Sequence, residues 1–315
     1  MGIDAVVVAG DGRAARKVFK KNKALLDVGG KPMIRHIVDT LASCPRVDTI
    51  AVVGPKEPFV EIIGHAGVVI VPQRRSLAEN GWEGFLHTLP EYRQRPELTC
   101  DLVDRYCQKT VLFLSGDIPL LTPEEIDEFL SGCDLERYDY IAGITSEESL
   151  AAFGPRRGRP GIKMATFHTR DGNFRQNNLH VVRPFVLLDS IDLVLKVYEY
   201  RYQKKLGNIL LSLYEILRLG PGRVGTTLAV YLLLQAAAGL AAVGLETAAR
   251  LVCYPVTIRL VEELISSLMR ARFGLVETKL GGAALDVDNE RDFMVLSGMY
   301  RDWMNLLEQR IHQRA

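Results

Sequence analysis

Six basic residues, Arg13, Arg16, Lys17, Lys20, Lys21 and Lys23, crowd together directly behind the glycine turn Gly10, Asp11, Gly12. The turn follows the apolar run Val6, Val7, Val8, Ala9, so its amides stand at the carboxyl edge of a predicted strand. Backbone N–H groups unshielded by side chains attract phosphate oxygens, and nearby cations add the counter-charge that a polyanion needs. A glycine pair after a strand is also an ordinary tight bend, and a run of lysines an ordinary solvated face. The charges beside the turn favour the phosphate reading. It is not a dinucleotide fingerprint, because Ala14, Ala15 and Arg16 stand where a third glycine belongs. Two further places offer carboxylates: Asp117, which follows Gly116 past a predicted strand, and the late pair Asp286 and Asp288. Each acid also has a structural reading, as a loop carboxylate for Asp117 and as a helix cap for Asp288.

The elements that must hold these residues alternate. Residues 4–9, 49–54, 68–72, 110–115 and 138–145 are short β-branched runs, whereas 32–43, 77–89 and 123–130 carry apolar residues at helical spacing. Thr122 is placed to cap the last of these helices, ahead of Glu124 and Glu125. Alternating strands and helices imply an α/β, doubly wound, mostly parallel sheet, with ligands bound beyond the carboxyl ends of its strands. Residues 146–188 read as polar and loop-rich, most flexible at 154–161. Residues 189–269 read as helical, and β patterns return at 274–280 and 283–288 before a final amphipathic helix. The expected organisation is a core begun by 1–188, a helical insertion at 189–272, and core completion by 273–315.

Composition narrows the classes. The chain has 315 residues, 48% apolar and 24% charged, with 39 basic residues against 38 acidic. That balance excludes a globally basic nucleic-acid binder and gives enough apolar surface to order the chain. The five cysteines include no CxxC, and the six histidines include no HxxxH or HExxH, so neither a disulfide framework nor histidine metal ligation is expected. Met1 leads almost at once into a buried-strand pattern rather than a secretory leader, and a cytoplasmic, reducing compartment is the expectation. Residues 224–245 lack any charge and are long enough to cross a bilayer. Their apolarity comes largely from alanine and glycine, interrupted by Gln235, so the expectation is a buried helix or a homodimer contact, with membrane contact as the alternative.

The segment Lys23, Ala24, Leu25, ending in Gly30, Lys31, Pro32, Met33, Ile34, resembles, with the glycine turn, the N-terminal signature of MobA-like NTP transferases and sugar-phosphate nucleotidyltransferases. Further likenesses follow in family order: Pro72–Gln73, the run from Leu77 through Asn80 and Gly81, Gly116-Asp117-Ile118-Pro119-Leu120-Leu121-Thr122, and Asp286 to Asp292. The resemblance covers residues 1–145 and 274–300. It departs at Ala14, where the family loop carries arginine, and at Asn289 and Glu290, which replace threonine and proline.

The resemblance implies a GT-A-like fold and a magnesium-dependent enzyme that condenses an NTP with a phosphorylated small acceptor, a sugar or polyol phosphate, releasing pyrophosphate. Lys23, Arg13 and Asp117 would be catalytic. Ala9, Gly10, Gly12, Arg13, Lys23, Lys31, Gln73, Asn80, Gly81 and Asp117 would bind the nucleotide, and Asp117 with Asp288, or with Asp286 in its place, the metal. In the polar middle stretch, Lys163 and Arg175 would hold the acceptor's phosphate, and Asn177 and Asn178 its hydroxyls. No nucleophilic side chain is needed, because the acceptor's own phosphate attacks. A nucleotide-sugar-dependent glycosyltransferase is one alternative, although a lone Asp117 stands where such enzymes carry D-x-D. A nucleotide-binding or membrane-associated scaffold without catalysis is the other.

Overall fold

A computed structural model describes residues 2–11, 17–64, 67–188 and 221–314. Its main sheet runs β5 (Val68–Pro72), β4 (Val47–Gly54), β1 (Ile3–Val8), β6 (Val111–Ser115), β9 (Gly172–Val182), β7 (Tyr140–Ser146), β10 (Phe273–Glu277), and β8 (Phe167–Thr169) pairs with β9. β9 runs antiparallel to both neighbours in this order, and the other pairs along it are parallel. The remaining strands, β2 (Asp27–Val28) and β3 (Lys31–Pro32), form a two-stranded ribbon.

The central strands read as unbroken apolar runs because both of their faces are covered. From β1, Ala5 and Val7 enter the core formed with Ile34, Ile37 and Phe129. Val6, of opposite parity, packs on the other face with Phe85 and Leu86. The helix Leu77–Leu86 comes very close to that face: a Cβ on Gly84 would lie 2.4 Å from a methyl of Val6. Ser76 and Glu79 close its start with a reciprocal capping box. Thr122 caps the helix Pro123–Gly132 as the sequence predicts, accepting the Glu125 N–H at 3.3 Å.

Three predicted segments differ. The stretch 146–188 contains the eleven-residue β9, whose polar run Arg175, Gln176, Asn177, Asn178 conceals its strand period. Asn177 is buried all the same, because its side chain bonds the Thr145 and Thr278 hydroxyls and the Leu179 N–H. The arginine-rich stretch at 154–161 is a tight hairpin: Arg156 and Arg159 exchange both backbone hydrogen bonds, with Gly158 at φ +78°. Residues 283–288 are not a strand. Gly281 turns at φ +96° into a short 3-10 turn, Gly282–Ala284, because the Gly281 and Ala283 amides go to a side chain, Glu125, instead of a neighbouring strand.

The helices Pro221–Ala242, Glu246–Val252 and Ile258–Met269 lie in sequence between β9 and β10. Val230, Val256 and Leu264 form one apolar cluster there, and Ala237, Ala249 and Cys253 another. The block is tied to the β8–β9 turn by Arg170 N–H on Val256 O (2.7 Å) and Ile258 N–H on Asp171 (2.7 Å). Within the charge-free stretch of the helix Pro221–Ala242, Val230 and Ala237 are buried while Tyr231 and Leu232 are exposed. No helix among the described residues is long and apolar enough to cross a membrane.

Candidate active site

β1 lies between β4 and β6, so Ala9 and Gly116 emerge side by side at the sheet's carboxyl edge, the crevice in which open α/β sheets bind ligands. Val8 lies opposite Ser115, and the Gly116 N–H donates to Val8 O at 3.1 Å. Glycine is required there: a Cβ on Gly116 would stand 2.5 Å from the Cβ of Ala9. The β1 loop and Asp117 are thereby pressed together. Asn22 draws in a third segment, its Nδ2 donating to Ala9 O (2.8 Å) while its Oδ1 accepts the Ala24 N–H (3.0 Å). That cap starts the short turn Lys23–Leu25, from which Lys23 reaches the crevice.

The Lys23 ammonium forms an ion pair with buried Asp117 and lies 3.8 Å from Asp288. Ser115 Oγ donates to the same Asp117 carboxylate, and the Val287 N–H donates to Asp117 O at 3.3 Å, holding the late acidic segment against the early one. Burial alone would depress the lysine pKa. The charge and hydrogen bond of Asp117, then Asp288 and Asp286, outweigh it and raise Lys23 above the ordinary value. Asp286 is held by a different cation, Arg175, at 2.7 Å.

Beside this cluster Gly10 meets two amide side chains. A Cβ on Gly10 would lie 3.0 Å from Asn80 Nδ2 and 3.1 Å from Gln73 Oε1. Gln73 is fixed by Asp11, accepting its N–H at 2.8 Å and donating to its carboxylate at 2.5 Å; Asn80 is fixed by the Arg74 N–H at 2.5 Å. Gly81 follows Asn80 and faces Phe113.

The structure therefore brings together Ala9, Gly10, Lys23, Gln73, Asn80, Asp117 and Asp288 around the carboxyl edge of β1 and β6. Gly12 and Arg13 lie outside the described residues. Lys31 turns to the helix Met33–Ser43 that it precedes, its ammonium 2.6 Å from Asp39 rather than on Asp117 or Asp288. Of the predicted acceptor set, Lys163 is exposed. Asn177 is 2% exposed within its hydroxyl network, Asn178 donates to Ala283 O (3.0 Å), and Arg175 donates to Ala284 O (3.0 Å) besides Asp286. These three engage the chain leading to Asp288. Sequence reasoning missed Asn22, whose place before a turn was its one signal, and Glu125, which reads as a first-turn helix acid.

An open sheet of this order, with a glycine turn and carboxylates at its switch point, is the GT-A-like fold of the nucleotidyltransferases. Within that class the chain belongs to the MobA-like NTP transferase family, whose domain model matches residues 5–192. It is similar to the bifunctional protein GlmU of Heliobacterium modesticaldum, 33% identical over 122 residues, covering 38% of this chain and 22% of that protein. The GlmU of Alcanivorax borkumensis is 29% identical over 131 residues, covering 41% of this chain and 25% of its own. The chain thus spans about a quarter of the length of these curated relatives. A hypothetical transferase from Thermus thermophilus superposes with a TM-score of 0.64 at 21% identity, over 93% of this chain and 99% of that one, a likeness of fold.

Proposed function

We propose that the protein is a magnesium-dependent nucleotidyltransferase that joins an NTP to a phosphorylated small acceptor, a sugar or polyol phosphate, and releases pyrophosphate. The observation that carries this reading is the meeting of Lys23, Asp117 and Asp288 at the crevice edge.

The donor set suits a hard divalent cation. Two carboxylates share one place for positive charge, taken here by the Lys23 ammonium, and carboxylate oxygens leave room for phosphate and water ligands. Among the described residues no group of three or more His, Cys, Asp or Glu side chains gathers as a closed metal site. Asp117 and Asp288 would hold the ion, which when bound neutralises charge on the triphosphate.

The chain's own residues do the rest. The amides of the Gly10 turn, with Arg13, cradle the phosphates. Gln73 and Asn80, already locked by Asp11 and Arg74, present fixed amides beside Gly10 to a nucleobase. Lys23 offers a mobile point charge to the departing pyrophosphate. A phosphate oxygen of the acceptor attacks the α-phosphorus, the bond to the β-phosphate oxygen breaks, and pyrophosphate leaves with that electron pair. Two anions must be held in line for this, which is positioning and charge neutralisation rather than covalent catalysis. Lys163, exposed beyond the 154–161 hairpin, is the acceptor residue open to an incoming phosphate.

The test is pyrophosphate release from protein, magnesium and each of the four NTPs with a panel of sugar and polyol phosphates. One NTP–acceptor pair should give pyrophosphate and the nucleotidyl product. Turnover of a nucleotide-sugar without pyrophosphate would make the protein a glycosyltransferase, and nucleotide binding without turnover a scaffold. Either result refutes the proposal.

A further inference from the structure

We infer that Glu125 is a positioning residue for the Asp288 carboxylate, acting through the segment 278–284, with Arg175, Asn177 and Asn178 of β9 securing that segment from the sheet side. The inference rests on the reading of Asp288 as a metal ligand.

Glu125 is fully buried near the start of the helix Pro123–Gly132, yet it touches neither Asp117 nor Lys23 in any recorded hydrogen bond or ion pair among the described residues. Three hydrogen bonds that its carboxylate accepts all come from one stretch of chain. Oε1 accepts the Thr278 hydroxyl (3.0 Å) and the Gly281 N–H (3.1 Å), and Oε2 accepts the Ala283 N–H (2.9 Å). Gly282 is pressed against the same helix start, since a Cβ there would lie 2.1 Å from Leu120 O.

The opposite side is held as fully. Asn177 donates to Thr278 Oγ1 (3.0 Å), Asn178 to Ala283 O (3.0 Å), and Arg175 to Ala284 O (3.0 Å) and Asp286 (2.7 Å). Immediately beyond, the Val287 N–H reaches Asp117 O, and Asp288 comes within 3.8 Å of the Lys23 ammonium.

A buried carboxylate is a poor device for stability, because desolvation consumes most of what its bonds return and an apolar side chain of like volume often does as well. What three directed bonds do supply is a single path for the backbone they hold. Here that path ends at Asp288. The β9 side chains have the same logic: Arg175 engages Asp286, so the two late acids are distinguished, with Asp288 turned to Lys23. Groups behind a metal ligand typically change metal affinity by about 10- to 100-fold when lost.

The test uses Mn2+ alone as probe, titrated into the full chain and followed by loss of its free-ion EPR signal. Asp288→Asn should weaken binding at least about tenfold, and Glu125→Gln and Thr278→Val each about tenfold, while Thr278→Ser, which keeps the hydroxyl, should bind as the unsubstituted protein does. If Glu125→Gln does not fold, the Thr278→Val and Thr278→Ser pair decides alone. Unchanged Mn2+ affinity in Glu125→Gln and Thr278→Val, alongside loss in Asp288→Asn, overturns the positioning role and leaves the metal reading standing. Unchanged affinity in Asp288→Asn, or equal losses in Thr278→Ser and Thr278→Val, overturns the inference, and the former removes the metal reading as well.

Discussion

The Lys23 ammonium serves two carboxylates that the chain supplies far apart in sequence, resting on Asp117 and lying 3.8 Å from Asp288. Asp117 is only 5% exposed, so removing its cation strands a charge away from water. Lys23→Met should cost about 3–5 kcal/mol, the usual penalty of breaking one side of a buried pair. Asp117→Asn in the same chain should recover most of that loss. Urea unfolding of the two single variants and the double variant reads the coupling directly, and simple additivity would refute the pairing.

Asp117→Asn alone should still fold, though less stably, because the amide can accept from Ser115 Oγ while the Lys23 ammonium keeps Asp288 at 3.8 Å. Its pyrophosphate release should fall by about 100-fold or more, the scale of removing one preorganised electrostatic group. Retained activity would show that Asp117 does not hold the reacting phosphates or their cation.

Gly116→Ala should be destabilising by about 1–3 kcal/mol, because the new methyl must force apart the β1 and β6 loops, 2.5 Å from the Ala9 Cβ. The distinguishing result lies at the site. Moving those loops shifts Asp117 relative to Gly10, so nucleotide affinity should fall with stability. In Gly274→Ala, which crowds the Tyr138 ring 2.8 Å away at the opposite end of the sheet, stability should fall without that loss of affinity. Equal effects on affinity would mean that the Ala9–Gly116 contact has no special part in setting the crevice.

How much of this was readable in the sequence follows from which face of each element is covered. The strands around β1 are apolar on both faces, so their runs predict themselves within a residue or two, and the glycine turn and Asp117 fall at their ends. β9 is different. Asn177 occupies a buried position by hydrogen bonding to Thr145 and Thr278, partners that no spacing in β9 announces. Arg175, Asn177 and Asn178, expected at the acceptor, bond the chain before Asp288, contacts that their spacing does not announce either. A polar side chain in a sequence declares that it needs a partner, but only the fold says whether that partner is a ligand or another strand.

Asp139, at the end of the sheet far from Asp117, contributes to stability in acid. Hydrogen bonds from the Arg272 side chain, then its N–H and Arg183, outweigh burial and hold its pKa down to about 2. Its carboxylate bonds Arg272 at 2.6 and 2.9 Å, and Arg183 at 2.8 Å, joining the chain just before β7, just before β10 and just after β9. The folded form binds the proton later than the unfolded chain, so the stabilisation is present above pH 3.8 and disappears as pH falls through about 2. At about 1.4 kcal/mol per unit that is roughly 2 kcal/mol. Asp139→Asn should lose this much at pH 7 and flatten the acid limb of a stability profile measured by denaturant titration.

Glu125 acts in the opposite direction and near neutral pH. Burial raises its pKa from 4.5 to about 7, against the hydrogen bonds from Ala283, Thr278 and Gly281, which favour the charged form. An unfolded chain releases this proton near pH 4.5, whereas the folded one keeps it to about 7, so the folded state binds more protons across that window. Stability should therefore decline as pH rises from 4.5 to 7 and contribute no further slope above it, a change of about 3 kcal/mol at 1.4 kcal/mol per unit. Glu125→Gln cannot lose a proton and should abolish that decline, while placing an amide N–H against the Ala283 N–H and lowering stability at acid pH. Urea unfolding at half-unit intervals from pH 4.5 to 7.5 compares the two slopes. If the variant declines as steeply as the unsubstituted protein, Glu125 is already ionised in the folded state across the window and its three donors, rather than burial, govern its charge.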